Sequence, residues 1–589
     1  MQVKGDIVVS GSAGASTAEP GLSRRTFIRL ASVGLAGFPL LLEACGSSSS
    51  APASSPAGTS SAAAGARAVS SAPAAGSGLA MPVHVALAGP QPDLPATSSG
   101  VPPAFFNYPK QHIKSVATPP GKGEDITATS FFLGPPPTPL AKNVAWQEVN
   151  KQLNANLKVT PVSVADYFTT RLPTLIASGN LPDIFLESAL NSTLQNEPAF
   201  LAAQCSDLTP YLSGSAIKAY PNLANLPSYV WKSTVFNNKI WAVPLAKGGI
   251  SGVNGTTMLV KQAALDAAGI GAITTLDDFT KAMKELTNAA NQRWGLGGTG
   301  VAPQNPAEWF GQLYGVPNGW RNQGGKLTKD WETPEFKASV AYMRSLWDAG
   351  YIFPDTPSLS GAQIGADWYA GKYAMWPNSF IAFSFAWDAA LSADPNFKPR
   401  ALTPFSADGK VKPAYHSGTG SNGRTVLKKA SAARIQELLG VLNFFAAPFG
   451  SQEQELLNFG VTGVDFTLDA NGNPKETRQG GLDVNVPWSQ LATGPAVLYD
   501  AGSKEFAQVA HDAEAAHYAL AVPNPVDGLY SKTHAEKDQS LTQKVMDGVT
   551  QIVYGRSPVS SLDGLVKAWQ SGGGEQMRSE FQDALQKAG

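Results

Sequence analysis

The chain is poor in cysteine and in charge. Only two cysteines, Cys45 and Cys205, occur among 589 residues, too few for the disulfide framework of a small secreted scaffold. Charged residues make up 15% of the chain, and 44 Lys plus Arg nearly cancel 45 Asp plus Glu. A basic field that could hold nucleic acid is therefore missing, as is an acidic tail. After the first 45 residues no run is long and apolar enough to span a bilayer. Histidine is scarce too: of six, the nearest pair is His511 and His517 in "HDAEAAH", a spacing that cannot put both on one helix face as a zinc pair four apart would be. "GLGGTG" at 295 is followed by no Lys-Ser/Thr, so it is not a phosphate loop. "DANGNP" at 469 has the alternating oxygens of a calcium loop without its sixth-position Gly or closing Glu, and reads as a hairpin turn. No G-x-S-x-G elbow with a plausible His partner occurs. Neither a metal nor a cofactor is expected.

What is present begins with an address. Arg24 and Arg25 in "SRRTFIR" precede an apolar run, Leu30 to Leu42, that is too short for a transmembrane helix. The pair is similar to a twin-arginine export signal. "LEAC" resembles a lipoprotein cleavage motif in which Cys45 takes the lipid, with Glu43 departing from the usual small or apolar residue. Residues 1–44 are therefore a signal peptide and the mature chain is expected outside the cytoplasm, lipid-anchored to a bacterial cell membrane. From Gly46 to about Ala80 the composition is nearly all Ser, Ala, Gly and Pro, which buries too little to offset its ordering entropy. With the Pro-rich continuation, residues 45–121 are expected to be a tether spanning roughly 50 Å. Folding is expected to start near Lys122. Cys205, left alone, is a small core residue.

The remaining residues suffice for two or three domains. "DITATSFF" and "KVTPVSV" have strand character, and "LAKNVAWQEVNKQLNANL" between them has helical spacing. Leu172, Leu175 and Ile176 share a helix face, Gly179-Asn180 caps it, and Pro182 forces an exit into the apolar strand "DIFLE". Strand–helix alternation predicts a parallel sheet covered by helices, an α/β fold. Longer helices are predicted at "MLVKQAALDAAG", "TLDDFTKAMKELTNAA", "EFKASVAYMRSLWDAG", "ASAARIQELLGVLNFFA" and "SQEQELLNFG".

The order of these pieces resembles a known family. "YFTTRLPTLIASGNLPDIF", "LTPYL", "NNKIWAVPL", "TTLDDFTKAMKEL", "GADWYAGKYAMWP", "LGVLNFFAAPFGSQEQELLNFGVTGVDFTLDANGNP" and "LVKAWQSGGGEQMRSEFQDAL" stand in the order of the family 1 extracellular solute-binding proteins of ABC importers, in the long oligosaccharide-type branch. The resemblance covers about residues 123 to 589. It implies a two-lobed periplasmic-binding-protein-like fold (type II), with the ligand in a cleft between lobes joined by a two- or three-segment hinge. Lobe 1 is then expected at 122–247 and 404–465, lobe 2 at 248–403, and the C-terminal segment 466–589 mainly with lobe 2. The implied partners are a sugar or oligosaccharide, permease subunits, and the membrane through the anchor; the protein is expected to be a monomer and not an enzyme.

A sugar site needs aromatic platforms and a few hydrogen-bonding groups, and thirteen Trp are available. Trp376 in "GKYAMWPNSF" is expected at a strand's carboxyl end, where open α/β sheets bind ligands. Trp309 and Trp320 lie in a Gly/Pro/Asn-rich stretch. Glu187 and Ser188 end the "DIFLES" strand, Asn378 and Tyr415 could add donors and acceptors, and Asp465 stands in a loop the family often writes with Glu-Gly. Gly248-Gly249, and the segment Pro404 to Lys412, are hinge candidates. The competing readings are a secreted glycosidase or lyase, which needs two carboxylates across a cleft, and a binder of a peptide or polyamine.

Overall fold

The computed structural model describes residues 78–588, except 190–193, 195–196, 248, 250–254, 299–306, 360, 385–386, 388–393, 395 and 502. Arg24, Arg25, Cys45 and Gly248 lie outside the described residues, as does everything expected for residues 1–77. Among the described residues no helix is long and apolar enough to cross a membrane.

Two sheets organise two lobes. The first has the order Asn156–Ser163, Asp125–Phe132, Ile184–Ala189, Gly423–Leu427, Ala242–Pro244. Its first three strands run parallel, and the late-arriving Gly423–Leu427 is antiparallel to both of its neighbours. Ile184–Ala189 is buried along its whole length, as a strand covered by helices on both faces must be. Helix Val144–Leu153 between the first two strands is capped by Asn143, whose side chain accepts from the Trp146 amide at 2.8 Å. Helix Leu172–Ser178 ends at Gly179 with φ of 70°, a left-handed cap that only Gly adopts without cost.

The second sheet has the order Pro399–Leu402, Thr256–Lys261, Tyr373–Ser379, Trp294–Leu296. "MLVKQAALDAAG" had been expected to be one helix. Its first half is instead the buried strand Thr256–Lys261, and the helix starts at Gln262; a short apolar run has no period that separates a buried strand from a buried helix. Helix Leu276–Leu286 opens with a full capping box of Thr275 and Asp278.

Each lobe is assembled from separated stretches. The first apolar core runs from Ile126 to Ala246 and resumes from Val426 to Ala492. The second runs from Met258 to Met375 and resumes at Phe405 and from Val526 to Phe581. The expected lobe limits therefore shift. Residues 404–416 stay with lobe 2, where the amides of Ala407 and Ala414 donate to Leu313 and Gln312. Val486, Trp488 and Leu491 pack in lobe 1 beyond the expected limit of 465. Cys205 is a buried core residue of lobe 1, and burial raises its thiol pKa.

The expectation of an unpacked tether as far as residue 121 is corrected. Residues 79–87 lie along lobe 1, with the Leu79, Val83, Val85 and Leu87 amides donating to Asn238, Gly214, Ala224 and Asn225. Val101 and Ala104 then enter a third apolar cluster with Leu498, Phe506, Ala507 and Ala510. Phe105 and Tyr108 pack against Phe449, Phe459 and Phe466, and Ser115 and Val116 donate to Glu453. Proline density signals an extended backbone here rather than a disordered one. An apolar residue every few positions lets that strap dock, and neighbouring loops satisfy its amides.

Candidate functional site

Beyond the strap, the described chain passes between the lobes after Leu245, at 417–422, and at 493–500. At the first two the backbone is locked on the lobe 1 side, Leu245 and Asn422 exchanging hydrogen bonds across to Gly423 and Leu245. Gly249 has φ of +59°, and a side chain there would press on the Tyr518 hydroxyl, 3.0 Å away, and on Pro102 of the strap. Gly420, also left-handed, leaves no room for a side chain beside the Tyr229 ring. The segment Pro404–Lys412 is no crossing. Asp408 closes a turn there by accepting from Lys410 and Val411, on the surface of lobe 2.

The sheet ends facing the crossings can be read from the topology. In lobe 1 they are the carboxyl ends near Phe132, Ser163, Ala189 and Pro244; in lobe 2, the start at Thr256 and the end at Ser379, which pair with each other. This is where open α/β sheets expose a crevice.

Glu187 and Ser188 sit on that edge but are occupied. Arg424, opposite them on the return strand, donates through Nε to Glu187 at 3.2 Å and to Ser188 Oγ at 2.9 Å, and pairs with Glu197 at 2.6 Å. Burial, reinforced by the Glu187 carboxylate, pushes Glu197 up to about 8 against the pull of Arg424. The cluster is an internal pin rather than a free acceptor.

Trp376 is buried to 3% exposure, its ring 5.6 Å from Trp368 and close over Gly298. Its strand does not stop before it but runs on to Ser379. Pro377 is tolerated inside because the neighbouring strand ends opposite Met375, leaving that side unpaired. Asn378 beside it is buried; its Oδ1 accepts from Ser379, and its Nδ2 has no partner among the described residues. Tyr415 is fully buried in an aromatic nest with Phe380, His517 and Tyr518 at the first two crossings, and packs directly on Gly255. Trp309 lies in the lobe 2 core on Phe279 and Phe405, within helix Glu308–Leu313 rather than a loop. Asp465 knits a turn of lobe 1, accepting from the Val461 amide at 2.8 Å; burial is the main force pushing it up to about 6, with Asp483 adding. The "DANGNP" stretch is the hairpin turn expected, joining Phe466–Leu468 to Pro474–Glu476.

Trp320 lines a cavity of about 410 Å³ on lobe 2. The cavity floor is polar: Glu308, Asn318, Asp330, His416, Asn524 and Asp538. Its lining comes from lobe 2, and one lining residue, Gly528, lies beside the Lys232 carbonyl of lobe 1. Burial pushes Glu308 up to about 7, helped by Asp330 and opposed by the Thr256 hydroxyl. His416 lies 2.8 Å through Nε2 from the Val316 carbonyl, which makes Nε2 the protonated nitrogen and Nδ1 an acceptor. That Nδ1 is 4.0 Å from Glu308 Oε1, too far for a hydrogen bond and right for a bridging hydroxyl. The indole faces are not open: Lys329 sits 3.9 Å from the Trp331 ring centre and 5.5 Å from that of Trp320, and Trp569 and Phe581 pack on Trp320. The polar floor was not expected from the sequence, since Glu308, His416 and Asp538 converge from distant stretches with no spacing signal.

Comparison with known proteins gives these features a context. The family model described as bacterial extracellular solute-binding protein matches residues 135–448. The chain is 27% identical over 468 residues to the polygalacturonan/rhamnogalacturonan-binding protein YtcQ of Bacillus subtilis, covering 76% of this chain and 89% of that one. It is 23% identical over 473 residues to lipoprotein LipO of the same organism, covering 77% and 91%. A solute-binding protein associated with an HMO-binding ABC transporter of Bifidobacterium longum infantis superposes with a TM-score of 0.61 at 14% identity, covering 79% of this chain and 99% of that one.

Proposed function

From the premise that this chain belongs to the bacterial extracellular solute-binding protein family, we propose that it captures an oligosaccharide between its lobes and hands it to the permease of an ABC importer. The observation that carries the proposal is the polar cavity of lobe 2, one of whose lining residues lies beside lobe 1. Its alternation of acceptors and donors, with Glu308 titrating near neutrality and His416 presenting a bare nitrogen, matches hydroxyls that each donate and accept. The relative named for polygalacturonan and rhamnogalacturonan binding makes a saccharide the first ligand class to try.

Mechanistically, one lobe holds the ligand and closure adds the contacts of the other; the shift is bounded by that added affinity. Gly249 and Gly420 are the positions that absorb the rotation. Asn378, whose Nδ2 has no partner among the described residues, contributes from the lobe 2 sheet edge once the lobes approach. In the same reading Arg24 and Arg25 direct twin-arginine export, Cys45 carries the lipid, and the protein works as a monomer beside its permease.

The test is calorimetry and thermal shift of the purified protein against neutral and acidic oligosaccharides, with a polyamine and a peptide pool as controls. A saccharide should raise the melting midpoint, about 2.7 kcal/mol of stabilisation at a hundredfold excess over Kd, and be recovered uncleaved. Stabilisation by polyamine or peptide alone would overturn the reading.

A further inference from the structure

Lys247 stands where strand Ala242–Pro244 leaves lobe 1 for the first crossing. Its ammonium donates to the Gln490 side-chain carbonyl at 3.0 Å. Among the described residues no carboxylate comes within ion-pair distance of it, although the lysine is half-buried. An ammonium withdrawn from water without a counter-charge is costly, and evolution retains such groups where a ligand completes them. Burial draws its pKa down to about 8, so at neutral pH it is still mostly charged. Two of its three protons remain to be donated.

A cavity of about 250 Å³ lies against it, lined among others by Phe445, Trp488, Ser489 and Thr493. Trp488 is held rigidly, its indole N–H donating to the Leu457 carbonyl at 2.8 Å. The neighbouring Asn485 donates to the Leu133 carbonyl at 3.0 Å, so this segment runs along the carboxyl edge of the lobe 1 sheet. The residues beyond, 493–497, are the start of the third crossing. The cavity is therefore part of the hinge-side wall of the cleft, small enough for one sugar ring rather than a chain.

We propose that Lys247 is the counter-charge for a carboxylate on the ligand, so that the oligosaccharide is one containing uronic acid units. This rests on the saccharide reading above and adds the sugar class and the residue that selects it. The pair forms by binding alone: the carboxylate oxygen takes the two free N–H donors, and each charge offsets the desolvation of the other. A neutral sugar leaves the ammonium buried and unpaired, which is how a site rejects an analogue lacking one group.

The experiment is calorimetry with an α-1,4-linked galacturonate trimer and with its fully methyl-esterified form, which keeps every ring and hydroxyl and turns each carboxylate into an uncharged methyl ester. The wild-type protein should bind the free acid at least tenfold more tightly than the ester. Lys247→Met should abolish that preference by weakening binding of the free acid relative to the ester, and Lys247→Arg should retain part of it. Equal wild-type affinity for acid and ester overturns the assignment, as does an equal loss of both in Lys247→Met. Binding of neutral oligosaccharides alone overturns the assignment and leaves the saccharide reading standing; binding of no saccharide overturns both. The wild-type comparison needs no variant, so the outcome does not depend on how Lys247→Met folds.

Discussion

Arg424 is the residue on which the lobe 1 edge turns. It touches Glu187, Ser188 and Glu197, donates to the Ser233 carbonyl at 3.1 Å, and covers the Phe236 ring at 4.8 Å. Removing one partner of a buried ion pair leaves uncompensated charge. Arg424→Met should therefore cost about 3–5 kcal/mol at pH 7 by urea unfolding. A cost below about 1 kcal/mol would show that the cluster does not act as a buried pair. His517 makes a second residue-scale case. It is fully buried, with Nδ1 2.7 Å from the Ala513 carbonyl and Nε2 2.8 Å from the Thr257 hydroxyl, so the ring is neutral, with Nδ1 donating and Nε2 accepting. Burial holds its pKa at about 4. The unfolded chain binds this proton below about pH 6.5 and the folded one only below about 4, so stability should fall as pH drops through that window. Glu514, pushed up to about 8 by burial, has the opposite sign: its contribution declines as pH rises from the ordinary glutamate range towards 8. Unfolding from pH 7 to 4 should show the His517 slope, and His517→Gln should lack it; an unchanged slope in the variant would assign it elsewhere.

Among the elements, those with a local cause were legible. The Gly179 cap, the Thr275 start and the hairpin at Asp469 each depend on residues a few positions apart. The strand Thr256–Lys261 was not, because burial on both faces erases its period. Nor was the strap, whose partners, Gly214, Asn473 and Glu453, lie far along the chain. The strap is testable as an element. A chain beginning at residue 78 should melt with the full-length protein. One beginning at residue 122 uncovers the partners of Val101, Ala104, Phe105 and Tyr108, and should melt about 10 °C lower or aggregate. Coincident melting of all three would make the strap's contacts energetically idle.

At the scale of the whole molecule, the α/β pattern and the order of the family's segments were enough to anticipate two lobes with a cleft between them. The site was less legible. Aromatic residues near Gly and Pro were expected to face the ligand, yet Trp309 and Trp376 are core, and Trp320 is capped by Lys329. A tryptophan's size makes it as useful to a core as to a sugar, and nothing local in the chain separates the two uses. The polar floor of the lobe 2 cavity and the lysine at the hinge both come from residues brought together by the crossings. Glu308 and His416 meet only because the chain leaves lobe 2 after the second of them.

Those crossings also impose an order of events on synthesis. Glu187 and Arg424 are 237 residues apart in the chain, and strand Ile184–Ala189 has no partner on one side until Gly423–Leu427 is available. A chain emerging from the ribosome therefore carries an open sheet edge, with Glu187 still lacking Arg424, through the whole production of lobe 2, the kind of edge that recruits other strands. Such a protein cannot complete its first lobe as it is made. Until the return strand has been translated, the open side of Ile184–Ala189 stays available to other strands.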